Sequence, residues 1–315
     1  MISIFERVSY MSDLILHHYK GSPFAEKIRA LLGFKGLAWQ SVDIPVIMPK
    51  PDYVLLTGGF RRTPSLQIGA DIYCDTHAIA LELERRFPEP SIFANASKGL
   101  NITAAMWADR TVFLNAARYM IGMNADHLPP EFHADRAAMR GAEANIPMIK
   151  AMADPLLQQL RPQLACVDDM LSDGRAFVLG EQAGLADFSI YHCAWFVGNS
   201  PATRPTLEPY SHLTAWMARM KDFGHGERGE MTSEAAIEAA NAASPEAISA
   251  SADPLDGGPA LGSKVAVSSD DGVPPAVEGE LVIATSEEIA VRRQDEAIGE
   301  VVVHFPRMGY LIKAL

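Results

Sequence analysis

Cysteine is scarce: the 315 residues contain only Cys74, Cys166 and Cys193, and no two are spaced as Cys-x-x-Cys. That excludes a disulfide framework and points to a reducing compartment, the cytoplasm, with each thiol read as a small buried side chain. Long apolar runs are missing too, and no uncharged stretch reaches the ~18 residues of a membrane-spanning helix. Positive charge is in deficit, with 27 Lys plus Arg against 39 Asp plus Glu and a formal net charge of -12. Such a balance argues against wrapping nucleic acid or coating an anionic membrane. No His-Glu-x-x-His, phosphate-loop or Gly-x-Gly-x-x-Gly motif occurs in a supporting context, and the adjacent His17 and His18 sit on opposite faces of a strand. No metal is therefore expected. The opening MISIFERVSYM carries charge and lacks a small-residue cleavage site, unlike a secretory signal. Met11 is an alternative start, with residues 1–10 then an upstream extension.

What is present is core-forming material. Hydrophobic residues make up 48% and charged residues 21%, which excludes a disordered chain and suits two or three domains. The acidity is uneven. Residues 231–315 hold 14 acidic and 5 basic residues, net -9, leaving 25 acidic and 22 basic, net -3, for residues 1–230. This asymmetry marks a boundary.

The chain reads as three parts: 12–92, 93–230 and 231–315. In the first, a strand over 14–19 meets Gly21-Ser22-Pro23, where Ser caps and Pro opens a helix. Phe24, Ile28, Leu31 and Leu32 carry its helical spacing. A strand over 39–44 and a Pro- and Gly-rich loop over 45–62, with at most one short helix, follow. A hairpin about Gly69-Ala70 and a helix over 75–87 complete an α/β unit. The second part reads as all helix, over 101–123, 130–149, 155–171, 185–197 and 207–221. The third holds a helix or tether over 233–250, a linker from Asp253 to Pro259, and apolar alternations separated by turns. These predict a small β-domain or an appended sheet with Val282, Ile289, Val291, Val301, Val303, Phe305, Tyr310 and Ile312 in its core.

Chemistry gathers at turns of the first part. Ser22, with Tyr19 three residues earlier, lies at a helix N-terminus, where free N–H groups and a hydroxyl can favour a thiolate. Arg61-Arg62-Thr63-Pro64 precedes a strand, and a cis Thr63–Pro64 bond would turn the Thr63 backbone outward. Cys74-Asp75-Thr76 offers a carboxylate, a hydroxyl and helix N–H groups, suited to an amino-acid-like group. Trp107, Arg110, Thr111, Leu114 and Arg118 share one helix face, either a pocket wall or bundle core. Met120 and Met123 read as packing.

The succession of strand, Ser-Pro-Phe-x-x-Lys-Ile-Arg helix, Thr-Pro before a hairpin and Asp-Thr opening a helix resembles the cytosolic glutathione S-transferases. These combine a thioredoxin-like domain with an all-α domain. Gly184-Leu-Ala-Asp187 resembles the family's buried helix cap, with Gly184 where a hydroxyl residue is usual. The likeness runs over about 12–225 and leaves the tail unexplained. It implies that Ser22 (rival Tyr19) is catalytic and stabilises the glutathione thiolate. It also implies that Arg62, Thr63, Pro64, Asp75 and Thr76 hold glutathione. Trp107, Arg110, Thr111 and Leu114 would then face a hydrophobic electrophile between the domains. A serine cannot form a mixed disulfide, which favours conjugation or thiol-assisted isomerisation. The implied partners are glutathione as co-substrate, the electrophile and a second copy of the chain. Isomerisation or dehalogenation by the same thiolate, or a non-catalytic binding scaffold on this fold, are the alternatives.

Overall fold

The computed structural model describes residues 14–247, the backbone of 251–252 and residues 257–315. The upstream residues 1–10, the segment 11–13 and the first linker residues 253–256 lie outside the described residues. The order opens with β1 (Leu14–His18), α1 (Pro23–Phe34), β2 (Ala38–Asp43), α2 (Pro51–Thr57), β3 (Ser65–Ile68), β4 (Asp71–Cys74) and α3 (Thr76–Arg86). It continues through α4 (Lys98–Trp107), α5 (Phe113–Met123), α6 (Pro130–Ala138), α7 (Ile146–Ala151), α8 (Ala153–Met170), α9 (Leu185–Gly198) and α10 (Ser211–Asp222). The last stretch is β5 (Glu227–Glu230), α11 (Ser233–Ala242), β6 (Ser251–Ala252), β7 (Lys264–Ser269), β8 (Val277–Ala284), β9 (Glu288–Asp295), β10 (Gly299–Pro306) and β11 (Tyr310–Ala314). Among the described residues two compact units result: one holds those of 14–25, 37–82 and 227–315, the other 26–36 and 83–226.

The first unit is built on one sheet in the order β11-β7-β8-β9-β10-β4-β3-β1-β2-β5, with β6 beside β8. Its thioredoxin-like part is β2-β1-β3-β4, where β1 and β2 run parallel and the β3–β4 hairpin turns at Gly69-Ala70. The tail is an appended sheet rather than a separate domain. Strand β10 pairs in parallel with β4, setting Val302, Val303 and His304 opposite Asp71, Ile72 and Tyr73. Strand β5 pairs in parallel with β2 at the other edge. One apolar cluster spans the junction. Leu56, Phe60, Ile72 and Cys74 pack with Val291, Val301, Val303, Phe305 and Tyr310, with Ile312 against its margin. Val282 faces a smaller cluster with Ala290 and Val302.

An ionic clamp crosses the same junction. His304 Nε2 donates to Asp71 Oδ1 at 2.9 Å and Nδ1 donates to Glu288 Oε1 at 2.6 Å, while the ring stacks on Tyr73 with centroids 4.4 Å apart. Burial alone would lower the imidazolium, but these two carboxylates outweigh it and lift His304 to about 9.

The second unit is helical, with three departures from the sequence reading. The helix expected over 101–123 is interrupted by a π turn at Ala108–Val112. The one expected over 130–149 splits into α6 and α7, because Gly141 takes φ +63 and Asn145 starts a new helix by accepting from Met148 N. Residues 207–210 precede α10 rather than opening it, with a 3-10 turn at Arg204–Leu207. Cys166 is exposed, a correction to the buried reading. Leu160, Leu164 and Val167 form the buried stripe of α8, and Cys166 falls on its other side. Met123 is likewise exposed at 41%.

The cap before α9 is complete despite Gly184. Asp187 Oδ2 accepts from Gly184 N, and Oδ1 accepts from Val178 N and Trp216 Nε1, all at 2.9 Å. Asn101 Oδ1 accepts from Ala186 N at 3.4 Å, supplying the acceptor that a hydroxyl residue would have provided. Burial outweighs these donors and raises the Asp187 carboxyl to about 6.

Candidate functional site

Three loops of the first unit carry the candidate residues. After β1, Ser22 N donates to Tyr19 O at 3.1 Å, and Ser22 Oγ accepts from Ala25 N at 3.2 Å. Ser22 thus caps α1 and is only 2% exposed. Tyr19 is half-buried at the end of the strand.

The second loop precedes β3. The Thr63–Pro64 bond is cis. Lys50, from the stretch before α2, reaches this loop: its Nζ donates to Thr63 Oγ1 at 3.1 Å and to Arg61 O at 3.4 Å. It also lies 5.7 Å from the Tyr19 ring centroid and 5.6 Å from that of Tyr53. A lysine only 4% exposed needs such partners for its ammonium. Sequence reasoning passed over Lys50; its one signal was a lone cation between Pro49 and Pro51. Tyr53 OH donates to Arg62 O and fixes the backbone just before Thr63.

The third loop joins β4 to α3. Asp75 has φ +78 and is the non-glycine residue with positive φ among those described. Its Oδ1 accepts from His77 N at 2.9 Å, and its carbonyl accepts from Ile79 N. A side chain held left-handed at a helix start is a strained feature of the kind that clusters at binding sites. Thr76 is buried beside it.

The tail reaches two of these loops. Tyr310 OH donates to Asp75 Oδ2 at 3.1 Å. Arg62 Nη2 donates to Asp271 Oδ1 and Oδ2 at 2.5 and 2.6 Å and to Ser269 Oγ at 3.3 Å. A recess lined by Phe60, Arg62, Ser269, Pro275, Phe305 and Tyr310 has a free volume of ≈ 10 Å³, about one water and far too little for a tripeptide.

In the second unit, Arg110, Thr111 and Leu114 are exposed and Trp107 half-buried, so this face is not bundle core. The π turn aims Asp109 inward. Lys27 Nζ donates to its Oδ2 at 2.7 Å and His192 Nε2 donates to its Oδ1 at 2.8 Å. Burial alone would raise the Asp109 carboxyl, but Lys27 and His192 hold it below its usual range. This ion cluster ties α1 to α9 within the unit.

Residues 16–91 match the glutathione S-transferase N-terminal domain model and residues 106–219 the C-terminal domain model. A GST-like protein from Pseudomonas syringae is 39% identical over 97% of this chain and 100% of its own, with TM-score 0.75. A glutathione transferase family member from Pseudomonas fluorescens pf-5, solved with two glutathione bound, covers 66% of this chain and 88% of its own at 13% identity and TM-score 0.53. A glutathione S-transferase from Rhodospirillum rubrum F11 covers 66% and 87% at 18% identity and TM-score 0.50. The last two show likeness of fold alone. Only a match that includes the tail can reach 97%, so the Pseudomonas syringae protein shares it. No curated protein matches.

Proposed function

The chain belongs to the glutathione S-transferase family, and on that premise we propose that it binds glutathione in its first unit and activates the thiol for attack on a hydrophobic electrophile. The observation that carries this reading is the β4–α3 corner, where Asp75 is held left-handed beside the buried Thr76. A carboxylate with spare lone pairs and a helix N-terminus suit the ammonium and carboxylate of a γ-glutamyl end. Thr63 pairs with the cysteinyl backbone, Pro64 shapes that turn, Arg62 lies at the glycyl carboxylate, and Lys50 braces the turn through Thr63 and Arg61.

Ser22 is the catalytic hydroxyl of this reading, with Tyr19 as its rival. The Ser22 oxygen already accepts a helix N–H, which leaves its proton to donate to sulfur. Such a donor and the helix N-terminus both favour the thiolate. Trp107, Arg110, Thr111 and Leu114 are assigned to the electrophile. The protein acts in the cytoplasm as a homodimer, with glutathione as co-substrate and no metal.

Calorimetry with glutathione, paired with turnover of an activated aryl halide by Ser22→Ala, tests the reading. The expected outcome is retained glutathione binding with most turnover lost. Since Ser22 also caps α1, Ser22→Thr is the control and should restore both the cap and part of the rate. Full activity of Ser22→Ala removes Ser22 from catalysis. Absence of binding at millimolar glutathione leaves the scaffold alternative.

A further inference from the structure

The tail supplies an anion to a residue that the glutathione reading assigns to an anion. Asp271 lies in the β7–β8 turn, where Gly272 takes φ +75 and its N–H donates to Ser269 O at 3.1 Å. Ser269 Oγ donates to Asp271 Oδ1 at 2.7 Å, and Val273 N donates to the same oxygen at 3.4 Å. The carboxylate is thereby aimed at Arg62, whose Nη2 it takes with both oxygens. The turn is seated closely: a Cβ on Gly59, at φ +102, would lie 3.0 Å from Pro275 Cγ. The side chains of Arg62 and Asp271 remain 30% and 53% exposed, so the pair is a weak one that an incoming carboxylate can contest.

We propose that Asp271 is a specificity determinant of the thiol site, neutralising Arg62 so that a free glycyl carboxylate gains little over an uncharged end at that position. The inference rests on the glutathione reading above and extends it to the class of thiol co-substrate. With Arg62 committed to Asp271, a γ-glutamylcysteinyl peptide ending in an ester or amide competes on nearly equal terms with glutathione. Without Asp271, the guanidinium is released and the free carboxylate is preferred.

The test compares glutathione with its glycyl monoethyl ester by calorimetry, on the full chain and on Asp271→Asn. That variant keeps the turn's shape and its contact with Ser269. The wild type should bind both thiols with similar affinity. Asp271→Asn should tighten glutathione roughly two- to fivefold while leaving the ester unchanged, the size of an exposed ion pair. Raising ionic strength should shrink that gain. Equal changes for both thiols, or weaker glutathione binding by the variant, overturn the proposal and make Asp271 a support for Arg62 instead. Failure of the wild type to bind either thiol overturns the glutathione reading and this inference together. Binding with an unmoved ratio sinks the inference alone.

Discussion

Asp75 takes a conformation that a side chain resists, and its contacts show what keeps it there. One carboxylate oxygen serves the start of α3 through His77 N, and the other meets Tyr310. Glycine would adopt φ +78 freely, whereas alanine would retain the strain and lose both contacts. Asp75→Gly should therefore keep its unfolding free energy within about 1 kcal/mol of wild type. It should also weaken glutathione about tenfold, the scale of a lost charge-assisted hydrogen bond. Thermal unfolding and calorimetry on one sample separate the two effects. Wild-type affinity in Asp75→Gly would remove this residue from the site. His304 makes a prediction in pH. Its folded value of about 9 stands above the ordinary 6.5, so its contribution is complete below pH 6.5 and fades as pH rises through 9. The gap corresponds to roughly 3 kcal/mol. Denaturant midpoints should fall across that window, and His304→Gln should start lower and flatten the slope. The turns that carry Ser22, Asp75 and Thr76 were legible in the sequence because caps and turns are local. Lys50 was not, because its partners Tyr19 and Thr63 are set by folding rather than by spacing.

Among the elements, α1 shows how a glycine can be required in a helix. Alanine normally exceeds glycine there by about 1 kcal/mol. A Cβ on Gly33, however, would lie 2.2 Å from Gly224 O and 2.6 Å from its carbonyl carbon, and backbone cannot move aside cheaply. Gly33→Ala should lower stability by at least ~2 kcal/mol, read by chemical denaturation; a stabilised variant would show that the approach is looser than it stands. Local signals placed α1, the β3–β4 hairpin and α9, since Ser22-Pro23, Gly69-Ala70 and Gly184…Asp187 lie within a few residues of what they organise. The π turn was illegible. It sets Asp109 against Lys27 and His192, which lie 82 and 83 residues away. The same distance effect hid Asn101 as the stand-in for a hydroxyl at Gly184.

At the scale of the whole molecule, the tail's alternation announced strands but not their destination. The register of Val302–His304 against Asp71–Tyr73 joins segments far apart in sequence, and no local pattern encodes a parallel pairing at that range. Its consequence for stability is direct. Phe60, Ile72 and Cys74 are covered by Val303, Phe305 and Tyr310, so removing residues 257–315 strips one side of a shared core. A chain ending at Ala247 should be insoluble or bind a hydrophobic dye, whereas a soluble, cooperatively melting product would show that the tail is dispensable. The acidity also gains a place: net -9 belongs to residues 231–315, and Asp271 is one of those charges.

The pairing of β10 with β4 also orders events in time. Asp71 waits for a histidine 233 residues later, while residues 26–36 and 83–226, the whole helical unit, have already been made. The edge of β4 is a row of open N–H and C=O groups during that interval. The helical unit can settle early, and the part of the chain that begins translation completes its sheet late, with β4 exposed to chaperones or to other nascent chains until β10 arrives.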